Sequence, residues 1–382
     1  MTAARPLRVC FACTGLGRER RGFETFTRDC AQALAGAPDV ALEVFAGGRD
    51  GHVPGEVVVP NLPRASRAAR ALGTLLRRDP YFIEQGTFFL GFLPRLLARA
   101  PDLIYFADLN FGNALWHWRR RVGGRWRLLF YNGGNTTRPF TRCDHVQLLT
   151  PAAGAAALAR GEPPARLTVL PHGLSLPPTF VPTDAAARRA ARAALGLPPT
   201  GEILLSVGQL DRATKRTHLL IEAVAALPAP RPYLLLIGAG GPDAEELRAL
   251  AAARLGAAWS WRSEPRERMS VVYAAADRSA LLSHGEGFGL AYAESLAAGL
   301  PLLVHDDPTT RHVVGDAGLR VPIGGVEDAR RGLVALLEAR TDATAAEARH
   351  AWVRGRFGWA VLRAEYLAMF QRAAAAPIEA LT

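Results

Sequence analysis

The stretch S-H-G-E-G-F-G-L-A-Y-A-E-S-L-A-A-G-L-P, residues 283–301, is the most informative part of this chain for its fold. It begins where an apolar run of strand length ends, turns through three closely spaced glycines, and continues with helical spacing from about Leu290. A strand, a glycine turn and a helix in this order form the building unit of a doubly wound α/β sheet. We expect the same unit to recur along the chain.

Apolar runs of strand length alternate with helical patterns through both halves of the sequence. In the first half, strands are predicted at Leu7–Ala12, Leu42–Ala46, Val57–Val59, Leu103–Phe106, Leu128–Asn132 and Val146–Thr150, with helices such as Phe23–Leu34 and Arg64–Leu76. In the second half, strands are predicted at Ile203–Val207, Tyr233–Ile237, Ala280–Ser283 and Leu302–His305, with helices at Leu219–Ala226, Asp243–Leu255 and Ala291–Ala298. Alternation of this kind predicts an α/β fold with parallel, doubly wound sheets.

The two halves are separated by P-H-G-L-S-L-P-P-T-F-V-P-T-D at residues 171–184. So many prolines can neither continue a helix nor pair as a central strand. A chain of 382 residues also exceeds what one hydrophobic core usually supports. We therefore expect an N-terminal domain at 1–175, a C-terminal domain at 176–355, and a final helix within 356–382. This helix belongs to a helical, aromatic-rich segment that must cover an apolar surface, and we expect it to cross back to the N-terminal domain.

Positive charge is concentrated in the first half. The net charge is +11, and residues 1–178 hold 23 basic and 13 acidic side chains, whereas residues 179–382 hold 23 and 22. The densest basic stretches are 64–78 and 116–127, and the second interleaves Trp with Arg. Such a stretch suits an anionic lipid surface or a nucleic acid, and a solvated basic face is the alternative.

The remaining composition indicates a packed globular protein. The four cysteines are too few for a disulfide scaffold, and the C-F-A-C pair at Cys10 and Cys13 lies in a predicted strand, so buried thiols are expected. No signal sequence is apparent, and the longest apolar run, Thr87–Leu97, is short and interrupted by Gly91 and Pro94. These features predict a cytoplasmic protein that is at most peripheral to the inner face of a membrane.

Ligands of open α/β sheets bind beyond the carboxyl ends of the strands, and the glycine-rich stretch is the first candidate loop. Glycine lets the backbone approach a ligand closely, and the first helical amides can bind phosphate or hydroxyl oxygens. Glu286 stands where a carboxylate can hold sugar hydroxyls, and Glu294 lies eight residues on, within reach of a ribose. The alternative is that Glu286 is a helix-terminal charge and Glu294 a surface residue.

A second candidate loop, S-V-G-Q-L-D-R-A-T-K-R-T-H-L-L-I-E-A, covers residues 206–223. It contains Lys215, the only lysine in a chain whose other 45 basic residues are arginine. A compact ammonium group at a ligand-facing loop, together with Arg212, would neutralise a diphosphate. The alternative is that Lys215 is an ordinary surface lysine.

A third loop, G-L-G-R-E-R-R-G-F-E, covers residues 15–24. Its glycines do not have the G-x-G-x-x-G spacing of dinucleotide-binding loops, and it fits a flexible lid or acceptor loop.

At this point the motifs resemble a known family. The run E-G-F-G-L-A-Y-A-E, residues 286–294, is similar to the E-x7-E signature of glycosyltransferase family 4, the retaining "glycosyl transferases group 1" enzymes of the GT-B fold. The resemblance extends over nearly the whole chain, through R-G-F-E near residue 22, L-P-H-G-L at 170–174, V-G-Q-L with the later K-R, L-I-G-A-G-G-P at 236–242, and the C-terminal R-F-G-W. It implies two Rossmann-like, doubly wound domains that face each other across a cleft.

The resemblance also implies roles for individual residues. Glu286 would hold the donor sugar, Glu294 the ribose, and Lys215 with Arg212 the departing diphosphate. Other donor-binding positions implied by the motifs are Gly22, Gly208, Gln209, Gly287, Phe288, Gly289 and Leu290. No cofactor and no metal are implied, since fixed cations and helix amides can stabilise the leaving group; we interpret Asp306-Asp307 as a turn.

Two positions depart from the family pattern. Gln209 stands where family loops often carry an arginine, and Asn132, followed by Gly133, stands where many members place a histidine near the reacting sugar. Asn132 and Gly133 are candidates for the acceptor side. Asparagine can orient a hydroxyl but cannot act as a base.

The sequence therefore predicts a hexosyltransferase that moves a sugar, with retention, from a nucleotide diphosphate-sugar to an acceptor hydroxyl. The acceptor would be a saccharide or lipid-linked molecule, as in cell-surface polysaccharide or glycolipid synthesis. Two alternatives stay open: a non-catalytic relative that binds a sugar nucleotide or glycan, and a basic nucleic-acid-binding protein.

Overall fold

The fold is taken from a computed structural model that describes residues 5–19, 22–53, 55–134, 137, 139–177 and 179–377. The chain divides into two compact units, Met1–Ser175 with Phe357–Thr382, and Leu176–Arg356. A few residues of the motifs introduced above lie outside the described residues, namely Arg20 and Arg21 of the third loop, Asn135 after the Asn132 segment, and Pro178 of the proline-rich stretch.

The first unit is built on a seven-stranded parallel sheet. Its strands are β1 (Leu7–Cys13), β2 (Val40–Ala46), β3 (Glu56–Val58), β4 (Leu103–Phe106), β5 (Arg127–Asn132), β6 (His145–Leu148) and β7 (Leu167–Val169). The helices between them are α1 (Gly22–Leu34), α2 (Arg67–Leu76), α3 (Pro80–Arg99), α4 (Leu109–Val122) and α5 (Pro151–Ala159). The strand order β3-β2-β1-β4-β5-β6-β7 reverses direction between β1 and β4, so the sheet is doubly wound.

The second unit is built on a six-stranded parallel sheet. Its strands are β8 (Ile203–Val207), β9 (Tyr233–Ile237), β10 (Trp259–Arg262), β11 (Arg278–Leu281), β12 (Leu302–His305) and β13 (Leu319–Val321). Its helices are α6 (Ala185–Ala194), α7 (Thr217–Ala225), α8 (Ala244–Leu255), α9 (Met269–Ala275), α10 (Leu290–Ala297), α11 (Pro308–Val313), α12 (Val326–Glu338) and α13 (Ala343–Phe357). The order β10-β9-β8-β11-β12-β13 reverses between β8 and β11. The predicted fold class, two Rossmann-like α/β domains with parallel sheets, is confirmed.

The last helix, α14 (Trp359–Ala375), belongs to the first unit. Its Tyr366 hydroxyl donates to the Pro171 carbonyl (2.6 Å) and accepts a hydrogen bond from Gln147 Nε2 (2.9 Å). Phe370 packs edge-on against Phe11 of β1, with ring centroids 5.8 Å apart. The aromatic positions of this helix are therefore buried in the first unit, and the Tyr366 hydroxyl finds its partners there.

Two helices differ from the sequence prediction. The helix predicted at Arg64–Leu76 begins at Arg67, because the Ser66 side chain accepts from the Ala69 amide and caps it. Helix α3 continues through Pro94, although this proline interrupts the apolar run noted in the sequence. Arg95 Nη1 donates to the Gly91 carbonyl (2.7 Å), which adds a hydrogen bond in the turn that contains the proline.

All four cysteines are free and buried, as predicted. Burial raises the pKa of the Cys10, Cys13 and Cys30 thiols well above the ordinary range. Thiols of this kind are structural rather than reactive.

Within the part of the chain that the structure describes, no helix is both long enough and apolar enough to cross a bilayer.

Candidate active site

The candidate site lies at the carboxyl edge of the second sheet, between β8 and β11. These strands are neighbours and pair in parallel, Ser279 opposite Leu205. The strand order reverses between them, so the loops that follow them run in opposite directions. The crevice between such loops is where open sheets bind ligands. The loop after β8 carries Lys215, and the glycine-rich loop after β11 carries Glu286. The His284 amide donates to the Thr214 carbonyl (2.8 Å) and joins the two loops.

The loop that carries Lys215 is shaped by one aspartate. Asp211 Oδ1 accepts hydrogen bonds from the amides of Thr214 (2.6 Å) and Lys215 (3.0 Å), and its carbonyl accepts from Thr217 (3.0 Å). An aspartate that bonds the amides three and four residues ahead closes a tight local turn. The turn presents the Lys215 side chain before α7 begins.

Lys215 and Glu286, which the sequence suggested for one site, are brought into contact. The Lys215 ammonium forms an ion pair and hydrogen bond with Glu286 Oε1. Both side chains are partly exposed, at 22% and 16%, so they remain accessible from solvent. A cation suited to phosphate and a carboxylate suited to sugar hydroxyls therefore stand side by side at the sheet edge.

The glycine-rich loop ends in the start of α10. Gly289, the residue before the helix, has φ 77°, and a Cβ atom there would lie 2.3 Å from the Tyr292 ring. The backbone can therefore pass the buried Tyr292 only as glycine. Gly289 is the N-cap residue of α10 and, as a glycine, has no side-chain oxygen with which to cap the first helical amides. Phe288 is buried, while Gly287 and Leu290 are partly exposed.

Glu294, on the second turn of α10, is held by two side chains that sequence reasoning missed. Arg266 forms an ion pair with Glu294 Oε1, and the Tyr273 hydroxyl donates to Oε2 (2.8 Å). Burial, and then the Glu294 carboxylate, raise the pKa of Tyr273 well above its usual value, so it stays a hydrogen-bond donor. Neither residue carries a recognisable motif, and only the fold brings them to Glu294.

Other predicted positions have contacts with residues other than Lys215 and Glu286. Arg212 Nη1 pairs with Glu246 of α8 (2.8 Å), and the Arg212 amide donates to Asp243 (2.9 Å). Gln209 is exposed, and the Gly208 amide donates to the Ile237 carbonyl (2.9 Å). The structure thus directs Arg212 toward α8, and its proposed contact with a diphosphate stays a prediction.

The Asp306-Asp307 dipeptide is engaged within its own turn. Asp307 accepts from the Thr310 amide (2.8 Å), and the Thr310 hydroxyl accepts from the Asp307 amide (2.9 Å), which forms a capping box for α11. Asp306 pairs with Arg311 (2.7 Å). Both carboxylates therefore have structural partners at the start of α11.

The first unit carries its own polar cluster at the β1–β4 switch point, which the sequence did not reveal. Asp108 is buried after β4 and accepts from the Thr14 amide (3.1 Å), the Thr14 hydroxyl (2.7 Å) and the Tyr81 hydroxyl. The Arg64 guanidinium lies 3.9 Å from the Tyr81 ring centroid. Asn132 is the buried last residue of β5. Of the remaining predicted positions in this unit, Gly22 is the exposed first residue of α1, and Gly133 follows β5.

Comparison with known protein families finds a match for most of the second unit. Residues 187–354 match the family described as "Glycosyl transferases group 1". Over this range the second unit is similar to the group 1 glycosyltransferases. The match includes Lys215, Glu286 and Glu294, together with the strands that position them. Family 4 within this group is the resemblance described above, and the match is to the group as a whole.

Curated relatives and solved structures extend the similarity. A D-inositol 3-phosphate glycosyltransferase of Thermobispora bispora is 33% identical over 229 residues, which is 55% of this chain and 51% of the relative. Another, from Xylanimonas cellulosilytica, is 36% identical over 221 residues, 54% of this chain and 52% of the relative. The chain spans about half the length of these curated relatives.

Among solved structures, the sucrose-phosphate synthase of Thermosynechococcus elongatus superimposes with a TM-score of 0.76 at 21% identity, covering 97% of this chain and 100% of that one. HepE of Anabaena in complex with UDP-glucose gives a TM-score of 0.70 at 18% identity, covering 96% and 99%. At this level of identity the similarity concerns the fold, and it is that of GT-B glycosyltransferases.

Proposed function

We propose that the chain is a glycosyltransferase that moves a hexosyl group from a nucleotide diphosphate-sugar to an acceptor hydroxyl with retention of configuration. The observation that carries the proposal is the contact between Lys215 and Glu286 at the switch point of a domain similar to the group 1 glycosyltransferases. The relatives are named glycosyltransferases, and one similar structure holds UDP-glucose. Both favour a nucleotide-sugar donor.

The chemistry of transfer fits the groups at the sheet edge. As the glycosyl–phosphate bond breaks, negative charge accumulates on the leaving diphosphate. The Lys215 ammonium group would neutralise part of that charge, and the amides at the start of α10 would stabilise the rest by hydrogen bonds. Glu286 would hold sugar hydroxyls beside the same ammonium group, and Glu294 would bind the ribose. We expect this arrangement to work without a metal ion, so transfer should persist in EDTA.

We assign the acceptor to the first unit. The cluster of Asp108, Tyr81 and Thr14 offers hydroxyl and carboxylate groups that suit a polyhydroxyl molecule, and Asn132 and Gly133 follow the neighbouring strand β5. An ionised carboxylate has about four acceptor sites, and Asp108 uses three of them for Thr14 and Tyr81, so one site would remain for an acceptor hydroxyl. The acceptor would be a saccharide, free or lipid-linked, as in polysaccharide or glycolipid synthesis.

An exposed, basic and apolar surface of the first unit supports a membrane-borne acceptor. We define it as Leu75, Leu76, Arg77 and Arg78 at the end of α2, all exposed. Leucines next to arginines suit the boundary of an anionic bilayer. The other basic stretch, 116–127, is partly interior, since Trp126 is in the core and Arg119 pairs with buried Asp144. Its Trp–Arg pattern is therefore not a free stacking platform for nucleic acid.

Vesicle sedimentation tests this surface. We expect binding to vesicles that contain phosphatidylglycerol and none to phosphatidylcholine alone, with a loss of about fivefold or more in the Leu75→Ser/Leu76→Ser variant, since each leucine would bury apolar area in the bilayer. Leu158→Ser removes an exposed leucine of α5 and is the matched control. Equal binding to both vesicle types would exclude the membrane proposal, and binding of RNA instead would favour the nucleic-acid alternative.

A donor panel tests the proposed function itself. Uridine, guanosine, adenosine and thymidine diphosphate-sugars are incubated with the protein, with and without simple saccharide acceptors, and the products and their anomeric configuration are read by NMR. Consumption of one donor with release of its nucleoside diphosphate is the expected result. Binding of a donor without any consumption would instead identify a non-catalytic sugar-nucleotide-binding relative, and no binding would exclude both.

A further inference from the structure

Arg216, between Lys215 and the first residue of α7, has a left-handed backbone, with φ 50° and ψ 39°. Among the residues described, the other non-glycine positions with positive φ are Arg77 and Ala100, and both end helices, where this conformation is common. Arg216 instead precedes a helix, where extended backbone is the rule. A non-glycine residue in this conformation costs about 1–2 kcal/mol.

The Arg216 side chain runs along the carboxyl edge of the second sheet. Its Nε donates to the Leu282 carbonyl (2.7 Å), and its Nη1 donates to the Ile323 carbonyl (2.8 Å). Leu282 follows β11 and leads directly into the glycine-rich loop, and Ile323 follows β13. The guanidinium of Arg216 therefore ties the loop of Lys215 to the base of the loop that carries Glu286.

The remaining donor of Arg216 is not used within the fold. Its Nη2 is buried and has no hydrogen-bond partner within the described part of the chain. Burial lowers the pKa of Arg216 from its ordinary value. An unsatisfied buried donor costs about 1–3 kcal/mol. A strained backbone and an unsatisfied donor at one residue, next to the cation of the site, point to a role other than stability.

We propose that Arg216 is a positioning residue of the donor site. By binding the Leu282 carbonyl it fixes the glycine-rich loop relative to the Lys215 loop, so that the ammonium group and the Glu286 carboxylate grip one sugar diphosphate together. The Lys215–Glu286 ion pair and the hydrogen bond from the His284 amide to the Thr214 carbonyl also join the two loops. This inference rests on the proposed function, because it assigns both loops to a nucleotide diphosphate-sugar.

Glycine substitution separates the role of the side chain from backbone strain. In Arg216→Gly the backbone keeps its conformation without strain, and only the guanidinium is lost. Ala100→Gly is the backbone control, since Ala100 also has a left-handed φ, 43°, but closes the exposed end of α3. Arg216→Lys restores a cation with several N–H donors. Calorimetry measures the dissociation constants of nucleoside diphosphates and of the corresponding nucleotide sugars. Thermal unfolding measures Tm.

We expect Arg216→Gly to weaken binding of the preferred sugar nucleotide about tenfold or more, which is about 1.4 kcal/mol, with Tm close to that of the wild type. Arg216→Lys should recover most of this loss, and Ala100→Gly should bind as the wild type does. Unchanged affinity in Arg216→Gly would overturn the proposal. So would a large fall in Tm that Arg216→Lys restores without restoring affinity. If the wild-type protein binds no nucleotide, the proposed function itself fails.

Discussion

At the scale of the residue, the ion pair between Lys215 and Glu286 sets up a competition. The ammonium group that would bind a diphosphate is already bound to the carboxylate that would bind sugar hydroxyls. A donor with its sugar offers partners to both groups, whereas a nucleoside diphosphate without the sugar must displace Glu286 and leaves it unpaired. The same pair would therefore favour release of the nucleoside diphosphate after transfer.

Glu286→Gln tests this competition. Glutamine cannot hold Lys215 by charge, so we expect the nucleoside diphosphate to bind about tenfold more tightly and the sugar nucleotide to bind more weakly, reversing their order. Calorimetry with both ligands measures the two constants. Glu327→Gln, the same change in the exposed pair with Arg330 of α12, is the control and should alter neither. A parallel loss of both affinities in Glu286→Gln would show that no competition exists.

At the scale of the element, the start of α10 depends on the close fit between Gly289 and Tyr292. Tyr292 is buried, and its amide donates to the Gly289 carbonyl (2.9 Å). The glycine-rich loop can reach the helix only by passing this ring. The position of the first helical amides, and hence of any phosphate they bind, follows from that packing.

A pair of alanine substitutions measures this fit. Gly285 and Gly289 have nearly equal φ, 78° and 77°, but a Cβ at Gly285 would meet no heavy atom within 4 Å, whereas at Gly289 it would meet the Tyr292 ring. Both changes bear the strain of positive φ, and Gly289→Ala also bears the clash, so we expect it to lower the free energy of unfolding by about 1–3 kcal/mol more. Urea unfolding measures the difference. Equal losses would show that the ring moves aside freely.

How much the sequence predicts also depends on the element. The strands β8, β9 and β12 were predicted with the bounds that the structure has, because they are almost entirely apolar. The strands β7, β10 and β13 were missed, because they are short edge or near-edge strands of three or four residues with mixed polarity.

The site shows the same division. Lys215, Glu286 and Glu294 lie in a local motif, and their positions on the loops and on α10 could be predicted. Arg266 and Tyr273 reach Glu294 only through tertiary packing, which no local pattern encodes. The single sequence signal for Arg216 was its place beside the only lysine, which did not reveal its left-handed backbone.

At the scale of the whole molecule, stability should depend on two buried histidines in the first unit. Burial lowers the pKa of His172 from 6.5 to about 3 and that of His145 from 6.5 to about 4. In both cases burial in the folded protein disfavours the charged form, and for His145 the nearby Arg372 and Arg166 add to the effect. The unfolded chain therefore takes up these protons first as the pH falls.

This predicts a fall in stability on the acid side of neutrality. The contribution of His172 should be complete above pH 6.5 and lost as the pH falls toward 3, by about 1.4 kcal/mol per pH unit for one proton. In His172→Gln, which keeps a polar partner for the Tyr131 hydroxyl, the slope should decrease by about one proton between these limits. Chemical unfolding at a series of pH values measures it, and identical slopes in both proteins would refute the assignment.

The most direct test of the whole proposal uses the fact that Lys215 is the only lysine. An amine-reactive acetylating reagent can modify only Lys215 and the α-amino group of the chain, and mass spectrometry distinguishes the two. We expect one nucleoside diphosphate, of the uridine, guanosine, adenosine and thymidine series, to slow acetylation of Lys215 about tenfold, because the phosphates occupy its ammonium group. The α-amino group should react at an unchanged rate. Equal rates at Lys215 with and without every nucleotide would contradict the assignment of this loop as a diphosphate site.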